Sequence, residues 1–155
     1  MIQIIIMLHV LMAVSLLGAL THQAVSLIRR KPASTPNGFI NRFRSVHSPA
    51  YTNTIILLFC ATTLLGGFMY PRYRLDVRST LEDMQLRAAN GFFEIKEHLA
   101  AIGLGMLPAY WLYWQSPLVP EHATTRKYLT WMLTAFVWWN FLVGEYLNNI
   151  KGLYP

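Results

Sequence analysis

IQIIIMLHVLMAVSLLGALTHQAVSLI, residues 2–28, contains no Asp, Glu, Lys or Arg, and the residues that follow it are Arg29, Arg30 and Lys31. A helix that crosses the hydrocarbon of a bilayer needs about 20 predominantly apolar residues. This stretch therefore reads as a membrane-spanning helix closed by a basic anchor. It lacks the basic n-region and the small-x-small cleavage pattern of a secretory signal and is longer than one, so it is expected to be a permanent helix. Three further segments have the same character: 51–70, which stops at Pro71, then 92–114 and 128–147. Tyr51, Tyr70, Trp111, Trp114, Tyr128 and Tyr146 near their ends match the aromatic belt found at headgroup level.

The composition agrees with that pattern. Of 155 residues, 54% are hydrophobic and only 13% charged, where a soluble domain carries roughly a quarter charged residues. Much of the surface is thus expected to face lipid, in a single all-α unit over 1–155: an integral membrane four-helix bundle. The net charge of +6 comes from basic residues in loops flanking apolar segments, which anchor a membrane protein against anionic headgroups. A nucleic-acid partner is excluded on this ground. The single Cys60 excludes an intramolecular disulfide and any CxxC site, and reads as a small core residue.

Orientation follows from Lys and Arg near the helix ends. Arg29, Arg30, Lys31, Arg42 and Arg44 lie in the first loop without an acid, and Arg126 and Lys127 precede the last span. Both termini are accordingly expected on the extracytoplasmic side of a bacterial plasma membrane. The Pro-, Ser- and Gly-bearing stretch 32–50 reads as an irregular inner loop. Residues 73–90 set Leu75, Leu81, Met84 and Leu86 among charges, which predicts a short amphipathic extracytoplasmic helix between spans two and three.

Ionisable groups inside membrane spans cost several kcal/mol unless paired, and so mark candidate sites. At 1.5 Å per residue, His9 lies about 12 Å along the first span and His98 about 9 Å along the third, both counted from the outer face. Glu145 approaches the outer end of the fourth. Three spans thus place an ionisable group at a similar depth. Glu94 and His98 are one helical turn apart, with Lys96 and Glu97 beside them, so a carboxylate is placed to orient the imidazole or to carry a proton. Two imidazoles on different helices predict an axial pair for a b-type haem, His9 and His98 being the iron ligands. Arg72, Arg74, Arg78 and Arg87 lie where haem propionates would emerge, and guanidinium suits carboxylate. His22 is turned by about 220° from His9, which argues against a second haem. A metal site built from His9, Glu94, His98 and Glu145 is the alternative use of these side chains, and the Trp-rich spans offer walls for a quinone or porphyrin pocket.

A histidine near the start of span one, the basic residue in Glu94-Ile95-Lys96-Glu97-His98 and four compact spans resemble the HemJ-type protoporphyrinogen oxidases. The resemblance implies a four-helix membrane haem protein that binds haem b through His9 and Lys96. The expected function is electron transfer by such a protein, with a quinone or porphyrin partner and no catalytic residue assigned. The competing expectation is a non-catalytic transmembrane subunit of a larger respiratory-type complex, or a homo-oligomer. The glycine pairs in Leu65-Gly66-Gly67 and Gly103-Leu104-Gly105 would let neighbouring helices approach closely. Ion or proton transport through Glu145 and the span-three acids ranks last, because little polarity reaches the midplane.

Overall fold

The computed structural model describes residues 2–28, 46, 48–115 and 118–153. Among these the chain is helical, with no strand. Four long helices carry the structure: α1 (Ile2–Ser26), α2 (Pro49–Arg72), α4 (Arg87–Tyr113) and α5 (Ala123–Leu153), with a short α3 (Arg78–Asp83) between α2 and α4. α1 and α2 are long and apolar enough to cross a membrane. α4 and α5 reach similar or greater length but mix charged, Thr, Asn and Trp residues into it.

Local chemistry sets several helix ends. Ser48 caps α2, its hydroxyl accepting the Tyr51 N–H at 3.2 Å. Pro49 follows at the first helical position, where its missing N–H costs nothing. The expected stop at Pro71 does not occur. Helix continues through Pro71 to Arg72, and a π-helical turn over Tyr73–Val77 leads directly into α3. A proline ring displaces the carbonyl one turn back, and widening the following turn to i→i+5 bonding absorbs the misfit. The Arg78 N–H accordingly donates to the Tyr73 carbonyl. The predicted helix between spans two and three is therefore the continuation of α2. Its Leu81 is buried against Ala89, Val143 and Leu147. Gln85, at φ 58°, makes the reversal into α4. That helix begins at Arg87, ahead of the expected 92. The expected inner loop 32–50, with Arg29, Arg30, Lys31, Arg42, Arg44 and His47, lies for the most part outside the described residues.

The four long helices run alternately up and down. The end of α1 meets the start of α2, where Gln23 Nε2 donates to Thr52 Oγ1 at 3.4 Å and Tyr51 donates to the Ala19 carbonyl at 3.1 Å. The start of α1 meets the far part of α2, where His9 touches Thr62. α4 returns along α2, with Gly103 against Phe59 and Trp111 donating to Asn53. α5 closes the ring onto α1, where Trp138 donates to Thr21 and Thr134 to the Leu20 carbonyl. The core holds Leu16, Leu20, Ile55, Phe59, Leu107 and Tyr110, with Trp114, Leu133 and Val137 beside them. Within it the Tyr110 hydroxyl donates to Gln23 Oε1, and Gln23 Nε2 also donates to the Val46 carbonyl at 3.3 Å. Trp114 Nε1 donates to Thr130 Oγ1 at 3.1 Å. The side-chain polar atoms of Gln23, Tyr110 and Trp114 are thus occupied, as burial requires.

Gly103 sets the distance between α2 and α4, since a Cβ there would lie 2.5 Å from Phe59 Cζ. Glycine to alanine inside a helix ordinarily stabilises by about 0.8–1 kcal/mol, whereas overpacking a core costs about 1–3 kcal/mol. Gly103→Ala is expected to lower the midpoint of thermal unfolding, and adding Phe59→Leu to recover most of the loss. Independent, additive effects of the two substitutions would remove this account of the glycine.

Candidate functional site

The end of the bundle formed by the start of α1, the end of α2 and the start of α4 gathers the ionisable side chains. His9 is half-buried there, on the α1 face turned to α2. Its Nδ1 lies 3.0 Å from the Thr62 carbonyl. A carbonyl oxygen only accepts, so Nδ1 carries the proton and the neutral ring presents a lone pair at Nε2. Gly66, one turn beyond Thr62, makes room for the ring: a Cβ at this position would stand 3.4 Å from His9 Cε1. The Thr62 hydroxyl is buried without a hydrogen-bond partner, an arrangement that leaves a donor and an acceptor unused beside the imidazole.

Lys96 reaches the same region from α4. It is half-buried, lies within electrostatic range of His9, and forms no ion pair among the described residues. Its Nζ sits 5.3 Å from the centroid of the Phe93 ring, a cation–π contact that partly replaces lost hydration. Phe93 in turn stacks on Tyr73, ring centroids 3.4 Å apart, and faces Tyr70 at 6.3 Å.

On the outer side of this aromatic stack is an open crevice of about 210 Å³ between the end of α2 and the start of α4. Arg74, Arg78, Glu94, Glu97 and His98 line it together with the tyrosines. Arg78 Nε donates to Glu82 at 2.7 Å and its Nη1 lies 3.7 Å from Glu94. Arg74 donates to the Tyr70 hydroxyl at 3.0 Å and covers the Tyr70 ring at 5.8 Å. Tyr73 donates to Asn90 Oδ1 at 3.4 Å, and burial pushes its phenol up to about 12. Arg78 is thus paired with two carboxylates along the rim, while the aromatic rings form the inner wall.

The residues singled out from the sequence fall into three places. His9 and Lys96 lie inside, within reach of each other's charge. Arg74, Glu94, Glu97 and His98 lie in the crevice; His98 is exposed, with Nδ1 2.7 Å from the carbonyl of Glu94 on its own helix. Arg72 and Glu145 stand apart from both: Arg72 pairs with Asp76 at 3.0 Å, and Glu145 is exposed on α5. Among the described residues no three His, Cys, Asp or Glu side chains gather as a metal-ligand group, so His9, Glu94, His98 and Glu145 do not form a common cage. Sequence reasoning missed Thr62, Gly66 and Tyr73. The first acts through a backbone carbonyl, which residue type does not reveal; the second was read only as a place of close helix approach, because nothing local shows that His9 is the neighbour.

The room at Gly66 is limited, which makes it a lever on His9. Gly66→Ala is expected to leave the imidazole in place, since 3.4 Å is ordinary van der Waals contact. Gly66→Val should push the ring off the Thr62 carbonyl. The ¹⁵N shifts of His9 report this: the Nδ1–H tautomer persists in the alanine variant and gives way to a mixture in the valine variant. Identical spectra for both would show that His9 is not held this way. Comparison with known proteins returns no match: no family model, no curated protein and no solved structure is significantly similar to the chain.

Proposed function

We propose that the chain is a multi-pass membrane protein of four spans that binds haem b at the polar end of its bundle and transfers electrons to or from a quinone or porphyrin partner. The observation that carries the haem reading is the pair His9 and Lys96: an imidazole with Nε2 free to ligate and an amine that makes no salt bridge among the described residues, with Glu97 in electrostatic range, brought together from different helices. A half-buried amine that makes no salt bridge is costly in a membrane interior unless something electron-poor or anionic joins it. The donor set fits haem iron, which takes axial nitrogen ligands and needs no cage of three protein groups. The unpartnered Thr62 hydroxyl fits a group that completes the site. His9 and Lys96 would hold the iron, with the Thr62 carbonyl fixing the imidazole tautomer. Arg74 and Arg78 would face propionates, and Glu97 and His98 are placed to carry protons at the rim. Bound haem would supply one-electron redox chemistry at its iron.

The membrane setting rests on the apolar exterior. Ile4, Met7 and Leu11 of α1 and Leu57, Leu64 and Phe68 of α2 are between 62% and 75% exposed. Only 11% of the apolar stretch in each of these helices is buried inside the bundle. The buried core helix of a soluble protein would show the reverse, and so large an exposed apolar surface in water marks an interaction face. Trp131, Trp138, Trp139 and Leu142 extend that surface along α5, which supports α4 and α5 as the remaining spans. The loop after α1, basic and free of acids in sequence, supports a topology with both termini outside.

Protein expressed with ample haem and purified in mild detergent is expected to show a Soret band. His9→Ala should abolish it, Lys96→Met should shift it and weaken retention, and His98→Ala should leave it. A colourless wild-type protein sinks the haem reading; loss in His98→Ala with retention in Lys96→Met would hand the second position to His98. For topology, Gln3→Cys in a Cys60→Ala background should react with an impermeant maleimide in intact cells, and Ser48→Cys should not. The opposite pattern reverses the orientation.

A further inference from the structure

Far from the haem-binding end, a second cavity opens between α1 and α5. Its volume is about 270 Å³. Thr21, Ala24 and Val25 form one side, and Trp131, Ala135 and Trp138 the other. Small residues make its floor and two indoles, both partly exposed, make its walls. Its polar atoms are already used. Trp138 Nε1 donates to Thr21 Oγ1 at 3.0 Å, and the Thr134 hydroxyl donates to the Thr130 carbonyl at 2.7 Å, with the Leu20 carbonyl 3.4 Å away. What remains facing the groove is methyl groups and ring surface, so its occupant is a hydrocarbon chain and not a polar ligand.

Charge at the mouth says which hydrocarbon chain. Lys127, exposed, stands one helical turn before Trp131. From Lys127 to Trp138 the helix rises about 16 Å, so cation and indoles are stacked along one flank. The sequence that joins α1 to α2 and α4 to α5 holds Arg29, Arg30, Lys31, Arg42 and Arg44 against the single acid Glu121, and the first turns of α5 add the exposed Lys127. A chain of neutral lipid or quinone would gain nothing from this excess of cations, whereas a phosphate headgroup of net negative charge would.

We propose that the α1–α5 groove is a binding site for one acyl chain of an anionic phospholipid of the cytoplasmic leaflet, with Lys127 holding its phosphate. This rests on the membrane part of the proposed function and is independent of haem. Each Lys or Arg near an anionic headgroup favours binding by about 1 kcal/mol, or about fivefold.

The test reconstitutes the full chain into phosphatidylcholine vesicles containing either brominated phosphatidylglycerol or brominated phosphatidylcholine at equal mole fraction, and reads tryptophan fluorescence. Brominated phosphatidylglycerol is expected to quench with about fivefold higher apparent affinity. Lys127→Glu, an exposed change that leaves the core alone, should bring that ratio close to one. Ala135→Leu, which fills the groove, should reduce the phosphatidylglycerol-specific quenching. Equal quenching by the two lipids in the wild type overturns the site, as does a ratio unmoved by Lys127→Glu. Quenching by neither lipid overturns the membrane reading and the site with it. Disulfide-linked dimers through Thr21→Cys in a Cys60→Ala background would assign the groove to a second copy of the chain, and so also overturn the lipid site.

Discussion

The hydroxyl of Tyr110 donates to Gln23, whose amide donates to Thr52 and to the Val46 carbonyl, and all of these groups are buried. An amide or hydroxyl left unpaired in such a place costs about 1–3 kcal/mol, so the three helices that contribute them have one register and one rotation in which the account balances. Trp114 with Thr130 extends the same constraint to α5. The rest of the bundle is a consequence of that junction. Once α1 and α2 are pinned at Gln23 and Thr52, their antiparallel course carries His9 to the level of Thr62 and Gly66, about 21 Å away along α1.

The two ends of the molecule solve the problem of polarity differently. At the junction end, neutral side chains satisfy one another inside the core. At the opposite end, charges are spread between an aromatic wall and an open rim, and the helix that bears two of the arginines exists because α2 does not stop at Pro71. The π-helical turn after that proline keeps the chain helical long enough to swing Arg74 and Arg78 over the start of α4. Under the proposed function, the first end is the rigid frame and the second is where chemistry and exchange with water take place.

The four long helices were legible because their apolar stretches are long and their loops carry Pro, Gly and charge. Their limits were less so. Pro71 has the residue identity of a stop, and only the backbone of the following turn turns it into a passage. The amphipathic pattern after Pro71 was read as a helix, and Tyr73–Asp83 is helical, but its buried Leu81 meets Val143 and Leu147 of α5 besides Ala89, and no local pattern discloses the distant pair. At the candidate site, residue types favoured His98 as the partner of His9, with Lys96 entering only through a family resemblance, whereas the structure leaves His98 exposed and brings Lys96 within electrostatic range of His9. Positions 96 and 98 are turned from each other by about 200° on a helix, so only one can share the interior with His9, and packing around Phe93 selects Lys96. The Gln23–Tyr110 bond joins residues 87 apart in the chain; nothing in either neighbourhood announces the other.

The imidazole of His9 occupies the space that a side chain larger than a methyl group at position 66 would otherwise fill. Positions 9 and 66 are therefore one volume shared between two helices, and neither can change freely while the other stays. In any sequence descended from the same ancestor, a bulkier residue at 66 should be accompanied by a smaller one at 9, and histidine at 9 by glycine or alanine at 66. A small residue at 66 is in this sense a record of the histidine: a trace of the site that would remain readable in a lineage even where the imidazole's own role had been lost.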